Sequence, residues 1–368
     1  MISRGALLAG CLAALVQVTT ACARCDAGPW HDWHAFKRDA IRAEGRVVDM
    51  SDERQITTSE GQSYAMFFAL VDNDPLLFRR LVRWTEQHLA NGDLTARLPA
   101  WLWGRSGDGW GILDDNTASD SNLWIAYSLL EAGRLWREHS YTALGHLMLQ
   151  RMAREEIRRV PGMGPVLLPG RRGFESKDSL RLNPSYLAPQ LLALAGKTLP
   201  DSLWHDLLDS AVDFLIASAP LGLAPDWVDI SQGKIQRSEA GRIGSYNAIR
   251  VYLWVGMLHA DARGAQRLKA HFRQALPHLD VQGRPAERVD IIDGRATAPG
   301  PIGFSGAVLP LFADTDFGER QRARLTADAI QAAGYYSRVL SLFGTAWDQR
   351  RFGFDANGRL IPAWRTCP

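Results

Sequence analysis

The chain alternates between stretches in which apolar residues recur at helical spacing and long connections rich in Gly, Pro, Trp and Asp. Apolar positions three or four residues apart predict helices, because such positions share one helix face. The predicted helices cover residues 63–71, 75–89, 122–136, 141–158, 184–195, 202–217, 245–259, 264–275 and 320–343. Strand alternation is rare, and short strands are predicted only at residues 46–49, 165–168 and 232–236.

This pattern predicts an all-α fold of about a dozen helices joined by elaborate loops. A fixed-period repeat is absent from the sequence, which argues against an ordinary solenoid and leaves a closed toroid of helix pairs. A toroid places its long loops at one end, where a substrate groove can form. The 368 residues show no linker and no abrupt change of composition after residue 25, so residues 24–368 are predicted to form one domain.

The N-terminus has the features of a secretory signal peptide. Arg4 supplies a positive charge, residues 6–18 form an apolar stretch too short to span a membrane, and residues 21–23 form a small-x-small cleavage site. We therefore expect residues 1–23 to be removed and the mature protein to be periplasmic or secreted. A lipoprotein acylated at Cys22 is the alternative, although Thr19 stands where an aliphatic residue is normally required.

After cleavage the mature chain keeps two cysteines, Cys25 and Cys367, one near each end. In an oxidising compartment they could form a disulfide that ties the termini together. The alternative is two free thiols on the chain ends.

Net charge and tryptophan content indicate which kinds of molecule the protein could bind. The net charge of +2 gives no strong attraction to nucleic acid or anionic lipid. The chain has 13 Trp residues, more than core packing usually requires. Indole rings can stack against the weakly apolar faces of sugars, although many of these Trp side chains could equally fill a large core.

The first candidate for chemistry is Glu60, which small hydroxyl residues and glycine surround in residues 56–64. It is predicted to lie on a loop that leads into a helix. From composition alone, a helix cap is the competing interpretation, in which Glu60 meets free backbone N–H groups.

The second candidate is the segment 98–104, in which Trp101 and Trp103 lie beside proline and glycine. Their spacing is not that of a helical core, so both rings are predicted to be exposed stacking surfaces on a loop. A hydrophobic plug at the end of the barrel is the alternative.

The third candidate is Asp120, within the acidic and amide-rich residues 114–124 that lead into a strongly apolar helix. Favourable interaction with the helix dipole is an ordinary explanation for such residues. The spacing of a calcium-binding loop is absent. His31 and His34 share a helix face but lack further nearby ligands, so no metal site is predicted.

Seven segments together closely resemble the family 8 glycoside hydrolases, in the same order and over almost the whole mature chain. They are TTSEGQSYAM, LPAWLWG, ASD before an apolar helix, RLNPSYLAP, APDWV, SYNAIRVYLWVGM and PIGFSGAVLP. The resemblance implies an (α/α)6 barrel with a long groove and inverting hydrolysis of a β-1,4-glucan such as cellulose, without cofactors. It is strongest to members that accompany bacterial cellulose synthase in the periplasm, so that complex is a possible partner and a monomer is expected.

The resemblance also implies residue roles. Glu60 would be the general acid that protonates the leaving oxygen, and Asp120 would grip the sugar at the cleavage point. Tyr246 could help to hold the attacking water, and Arg250 could pair with a site carboxylate. The remaining residues that the resemblance places in substrate binding are Tyr64, Trp101, Trp103, Tyr186 and Trp227.

Two positions depart from the family pattern. Where the family has its catalytic base, this chain has Asn247, and where the family has a second aspartate, it has Asn122. A neutral amide can hold a water but cannot accept its proton at a useful pH. Another carboxylate could act as the base, with Asp226 or Asp229 as candidates, unless these are structural and paired with arginine.

The amide at residue 247 also fits two further hypotheses. The chain could be a weakly active or inactive glucan-binding protein of the cellulose synthase system, or Asn247 could be an engineered substitution. Xylan and chitosan remain alternative substrates.

Overall fold

A computed structural model describes residues 28–236 and 238–365. The predicted signal peptide, Cys25 and Cys367 lie outside these described residues. Cleavage after residue 23 and the disulfide between the two ends therefore stay predictions.

Helices dominate the described chain. They are α1 (His31–Ala40), α2 (Ser59–Val71), α3 (Pro75–Leu89), α4 (Ser119–Trp136), α5 (His139–Glu155), α6 (Pro189–Thr198), α7 (Leu203–Ser218), α8 (Ile249–Gly256), α9 (Ala265–Phe272), α10 (Leu276–Leu279), α11 (Ile302–Phe312), α12 (Asp316–Arg324), α13 (Ala327–Gln331) and α14 (Tyr335–Asp348). In the described chain, no helix is both long enough and apolar enough to cross a lipid bilayer.

Short antiparallel strands lie in the connections between the helices. The fold is therefore mostly helical and not purely α-helical as predicted. They are β1 (Thr57–Thr58), β2 (Leu102–Ser106), β3 (Gly109–Asp114), β4 (Ile157–Val160), β5 (Gly164–Leu167), β6 (Ser179–Leu182), β7 (Val228–Ser231), β8 (Lys234–Gln236), β9 (Ile243–Gly244), β10 (Asp280–Val281), β11 (Arg284–Pro285), β12 (Val289–Asp290), β13 (Phe352–Phe354) and β14 (Leu360–Pro362). Two sheets, β1-β2-β3 and β6-β7-β8, have three strands.

Several predicted elements need correction. Residues 46–49 do not form a strand, because only an isolated bridge joins Ile41 to Val47. The predicted helix over residues 320–343 is broken into parts of α12, α13 and α14. It breaks because Thr326 caps a new helix by accepting the N–H of Ala329, and Gly334 then precedes α14.

The helices pack in a regular succession. Helix α2 contacts α4, α4 contacts α6, α6 contacts α8, α8 contacts α11, and α11 contacts α14. Five of these helices also pack against the next helix along the chain, as α2 does against α3 and α4 against α5. The first and last helices of the succession meet at an aromatic contact, since the ring centroids of Phe68 and Phe343 are 4.6 Å apart.

Candidate active site

The start of α2 presents one carboxyl group at the edge of the core. The N-cap is Thr58, whose hydroxyl accepts the N–H of Gly61 at 3.0 Å, so the helix begins at Ser59. Glu60 therefore lies in the first helical turn, and the prediction that it lies on a loop is wrong. It is not the cap either. Every residue of α2 except Glu60 is buried, which leaves this carboxyl as the polar feature that the helix exposes.

Asp120 occupies the corresponding place in α4, where it lies in the first turn and is buried. Its Oδ1 accepts hydrogen bonds from the backbone N–H of Ser121 at 2.7 Å and from the Ser121 hydroxyl at 3.2 Å. The N-cap residue of α4, Ala118, offers no side-chain cap, so other contacts must fix this turn.

Arg250 connects these carboxyls to the rest of the site from the first turns of α8. Its guanidinium donates to five side chains, which are Glu60, Tyr64 at 3.4 Å, Asp120 at 3.3 Å, Ser185 at 3.0 Å and Asn247 at 3.0 Å. The ring of Tyr186 lies beneath it, with the centroid 5.6 Å from the guanidinium carbon. One buried cation thus brings together residues from four separate parts of the chain.

The three charged groups differ in their access to solvent. The Glu60 side chain keeps 25% of its surface exposed, whereas Asp120 and Arg250 keep 5% and 4%. Burial raises the pKa of Asp120 to about 6, and the charge of Glu60 adds to this effect while Arg250 opposes it. A ligand arriving from solvent therefore meets Glu60 first, with Asp120 and Arg250 behind it.

The turn before α8 forms the opposite side of the site. The Asn247 side-chain oxygen accepts from Arg250, and its backbone N–H donates to Oδ1 of Asp226 at 2.9 Å. The same oxygen of Asp226 accepts the N–H groups of Ser245 at 3.0 Å and Ala248 at 2.8 Å. Within residues 28–236 and 238–365, the other oxygen of Asp226, Oδ2, has no hydrogen-bond partner. Burial raises the pKa of Asp226 despite the three N–H groups.

Asp229, the other candidate base, is paired with an arginine, as the alternative structural interpretation of these aspartates expects. Its carboxylate pairs with Arg181 at 2.8 and 3.1 Å and accepts the Ser238 hydroxyl at 3.0 Å. Trp227, between the two aspartates, is half-buried and stacks on Phe174 with ring centroids 6.0 Å apart.

The two tryptophans of segment 98–104 have different environments. Trp101 is half-buried, and its carbonyl oxygen accepts the N–H of Ser59 at 2.9 Å, which joins this segment to the start of α2. The prediction of an exposed ring is wrong for Trp103, which is 8% exposed. It is covered by Trp84 of α3 and by Trp110, the exposed ring of the β2–β3 hairpin. Those contacts come from other segments, so the local sequence does not reveal them.

Three tyrosines lie near these charged groups. Tyr64 is buried and Tyr246 is 45% exposed, with its hydroxyl donating to Glu287 at 2.7 Å. The hydroxyl of Tyr336 donates to the Tyr246 carbonyl oxygen. Burial raises the pKa of Tyr336, and the charges of Glu60, Asp226 and Asp120 act in the same direction. The Tyr336 hydroxyl is therefore within the electrostatic influence of all three carboxyls.

Comparison with known proteins shows which family the chain belongs to. The model of glycosyl hydrolases family 8 matches residues 5–350. The chain belongs to this family. It is therefore a glycoside hydrolase.

Relatives within family 8 extend over nearly the whole chain. An endoglucanase from Salmonella typhi is 45% identical over 97% of this chain and 97% of its own length. An endoglucanase from Xanthomonas axonopodis is 44% identical over 98% of this chain and 95% of its own. The crystal structure of an endo-1,4-D-glucanase from Vibrio fischeri superposes with a TM-score of 0.86 at 44% identity, covering 92% of this chain and all of the other.

Three residues in or beside this group, Ser185, Tyr336 and Glu156, were not singled out from the sequence: Ser185 contacts Arg250, the charges of Glu60 and Asp120 act on Tyr336, and Glu156 accepts a hydrogen bond from Asn122. Ser185 lies within the quoted RLNPSYLAP segment, so its position offered a signal. Tyr336 is one of two adjacent tyrosines at the start of α14, and Glu156 belongs to a charged string at the end of α5. Neither string differs from an ordinary helix end. In the part of the chain that the structure describes, no group of three or more His, Cys, Asp or Glu residues could hold a metal.

Proposed function

We propose that this family 8 hydrolase is an endo-β-1,4-glucanase that cleaves cellulose chains with inversion at the anomeric carbon. The observation that carries the proposal is the cluster in which Arg250 joins the half-exposed Glu60 to the buried Asp120. The names of the relatives, endoglucanase and endo-1,4-D-glucanase, support the choice of glucan.

Glu60 would be the general acid. When both carboxyls are ionised, Arg250 leaves the cluster with one net negative charge, so the uptake of a single proton makes it neutral. Because Glu60 is the member that solvent reaches, it is the one placed to pass a proton to a glycosidic oxygen. Asp120 would hold the sugar ring at the cleavage point while the bond breaks.

Asp226 would be the proton acceptor in place of Asn247. An amide oxygen at residue 247 can orient a water but cannot take its proton. Asp226 lies directly behind Asn247, keeps Oδ2 without a partner among the described residues, and acts electrostatically on both Arg250 and Tyr336. In the reaction, water attacks the anomeric carbon and loses a proton to Asp226, while Glu60 gives its proton to the departing sugar.

The proposed architecture is a closed (α/α)6 barrel formed by a single domain over residues 24–368. The succession of contacts from α2 to α14 and the meeting of Phe68 with Phe343 support closure. Glu60, Asp120 and Arg250 each lie near the N-terminal start of a helix in this succession, which would gather the site at one end of the barrel.

The proposed location is the periplasm, after removal of residues 1–23, where the enzyme would act as a monomer on glucan chains emerging from a cellulose synthase. The signal-like N-terminus supports the location. Fractionation of cells that express the full chain should place the mature protein in the periplasmic extract, and retention in the cytoplasm would contradict it.

The release of reducing ends from carboxymethylcellulose tests the proposed activity. Wild-type protein should release them, and Glu60→Gln should lower the rate by ~10²–10⁴-fold because general-acid assistance is lost. Glu53→Gln, which changes an exposed glutamate of the nearby loop, is the matched control and should keep the wild-type rate. A wild-type protein that releases nothing, or a Glu60→Gln variant as fast as the control, would contradict the proposal.

A further inference from the structure

The most completely buried carboxyl beside the site is Glu156, which the proposed mechanism does not use. It follows the last residue of α5 and is 0% exposed. Its Oε1 accepts hydrogen bonds from the Thr117 hydroxyl at 2.5 Å and from the Asn122 side-chain amide at 2.8 Å. Within residues 28–236 and 238–365, no cation lies close enough to form an ion pair with it.

These two contacts lie on either side of Asp120. Thr117 immediately precedes Ala118, the N-cap residue of α4, and Asn122 lies in the first turn that follows. Because Ala118 supplies no side-chain cap, Glu156 holds this turn from outside the helix. The Thr117 hydroxyl also accepts the backbone N–H of Arg171 at 3.1 Å, which ties the same turn to the loop after β5.

The polar groups around Glu156 fit a neutral carboxyl. Its Oε2 and the Asn122 side-chain oxygen are both buried and have no hydrogen-bond partner among the described residues. A carboxylate would leave two unpaired acceptors there, whereas a proton on Oε2 converts one of them into a donor. Burial raises the pKa of Glu156 to about 8, against the two hydrogen bonds that Oε1 accepts.

The negative charges near Glu156 also raise its pKa. The charges of Glu155, on its own helix, and of Asp120, on α4, both favour the protonated form. From the loop after β5, Arg171 reaches Thr117 only through its backbone, because its guanidinium pairs with Asp115. A neutral Glu156 therefore holds the turn without placing a second negative charge behind Asp120.

We propose that Glu156 is a positioning residue for Asp120, clamping Thr117 and Asn122 so that the carboxyl between them is held toward Arg250 and the sugar. The inference rests on the role proposed above for Asp120. It also accounts for Asn122, the second departure from the family pattern. At that position an amide donates to Glu156, as an ionised carboxylate could not.

The test measures kcat on a cello-oligosaccharide per folded molecule, with the folded fraction determined by circular dichroism. Glu156→Ala should lower kcat by ~10²-fold, because a small displacement of a catalytic group is costly, and should change KM little. Glu156→Gln, which resembles the neutral acid, should restore a nearly wild-type kcat. Glu155→Gln, at the neighbouring half-exposed position, is the matched control and should be unaffected.

A purely structural role would give a different result. Glu156→Ala would then lower the melting temperature but leave kcat per folded molecule unchanged, which would overturn the proposal. If Glu156→Ala does not fold, Thr117→Val removes one of the two contacts and should still lower kcat. Asp120→Asn in the same assay separates the two claims. If this variant is fully active, the proposed role of Asp120 fails, whereas a slow Asp120→Asn beside a fast Glu156→Ala overturns only the positioning role.

Infrared difference spectra provide a second measurement. The wild-type spectrum minus the Glu156→Gln spectrum at neutral pH should contain the carbonyl band of a protonated carboxylic acid. That band should disappear as the pH is raised beyond about 8. The absence of the band at neutral pH would show an ionised Glu156 and would contradict a neutral clamp.

Discussion

The starts of α2 and α8 face each other across the site and use their polar residues in opposite ways. At α2, the Thr58 hydroxyl satisfies a backbone N–H, which leaves the Glu60 carboxyl free to contact Arg250 and solvent. At α8, the Asp226 carboxylate itself accepts three backbone N–H groups, and the residue that faces Arg250 is the neutral Asn247. At α2 the cap and the proposed acid are therefore different residues, whereas before α8 the residue that holds the turn, Asp226, is also the proposed proton acceptor.

This difference has a consequence for proton transfer. A carboxylate that also holds a turn together cannot move far, so Asp226 can act as an acceptor only through the oxygen that the turn does not use. A proton taken up on Oδ2 leaves the three hydrogen bonds to Oδ1 in place. The same residue would then fix the position of Asn247 and take the proton from the water that Asn247 orients.

The largest expected effect is on turnover in Asp226→Asn. Asparagine keeps an oxygen for the three N–H groups but cannot accept a proton, so kcat should fall by ~10²–10⁴-fold while the melting temperature changes little. The measurement is steady-state hydrolysis of a cello-oligosaccharide beside a thermal unfolding curve.

Asp229→Asn is the matched control for that substitution. Asp229 lies three residues after Asp226 and forms an ion pair with Arg181. The Asp229→Asn variant should therefore stay close to the wild-type rate. If Asp226→Asn is as active as Asp229→Asn, Asp226 serves only as a cap and the two helix starts differ only in structure.

The next effect is on stability in Arg250→Met. Removing the cation leaves Glu60 and the buried Asp120 without their shared partner, which should cost about 3–5 kcal/mol of unfolding free energy. Because the pKa of Asp120 is already raised to about 6, the loss should be smaller at pH 5, where Asp120 is protonated, than at pH 8. Urea unfolding at both pH values measures it, and an equal loss at both would contradict the charge argument.

The next prediction concerns the pH dependence of stability. The pKa of Glu156 is raised from 4.5 to about 8 in the folded protein. Its contribution to stability is therefore complete below pH 4.5 and is lost as the pH rises to about 8, with a slope of up to about 1.4 kcal/mol per pH unit. Glu156→Gln should flatten this part of the curve, as followed by urea unfolding. A variant that keeps the wild-type slope would show that Glu156 does not titrate in this range.

The smallest effect is expected for Thr58→Ala, which removes the cap of α2. It should cost about 1 kcal/mol of stability, while Thr58→Ser should cost much less. Since the cap is separate from Glu60, kcat should remain near wild type in both variants. A large fall in kcat would mean that capping and chemistry are coupled at α2 as well.

The fold was predictable wherever a helix shows an amphipathic pattern. Residues 75–89 were predicted with the bounds that α3 has, because one face is apolar and Pro75 starts the helix. Helix α11 was missed, since it is almost entirely apolar and is buried from Gly303 to Phe312, and so has no periodic pattern to detect. The breaks within residues 320–343 depend on a local cap at Thr326 that an apolar pattern does not reveal.

In the candidate site, the residues within distinctive strings could be found from sequence, as Glu60, Asp120 and Arg250 were. Their spatial relationship could not, because Glu60 and Asp120 lie 190 and 130 positions before Arg250. Trp103 was placed on the surface because Trp84 and Trp110, which cover it, come from other elements. Glu156 went unnoticed because a carboxyl held by hydroxyl and amide groups resembles any charged helix end in the sequence.

The most direct test of the central claim compares wild type with Asn247→Asp in the time course of anomeric products from cellopentaose, followed by NMR. If Asp226 takes the proton, the wild-type protein turns over, its first product at the new reducing end is the α-anomer, and Asn247→Asp has nearly the same rate. A wild-type protein that is inert until Asn247→Asp restores a carboxylate would contradict the account.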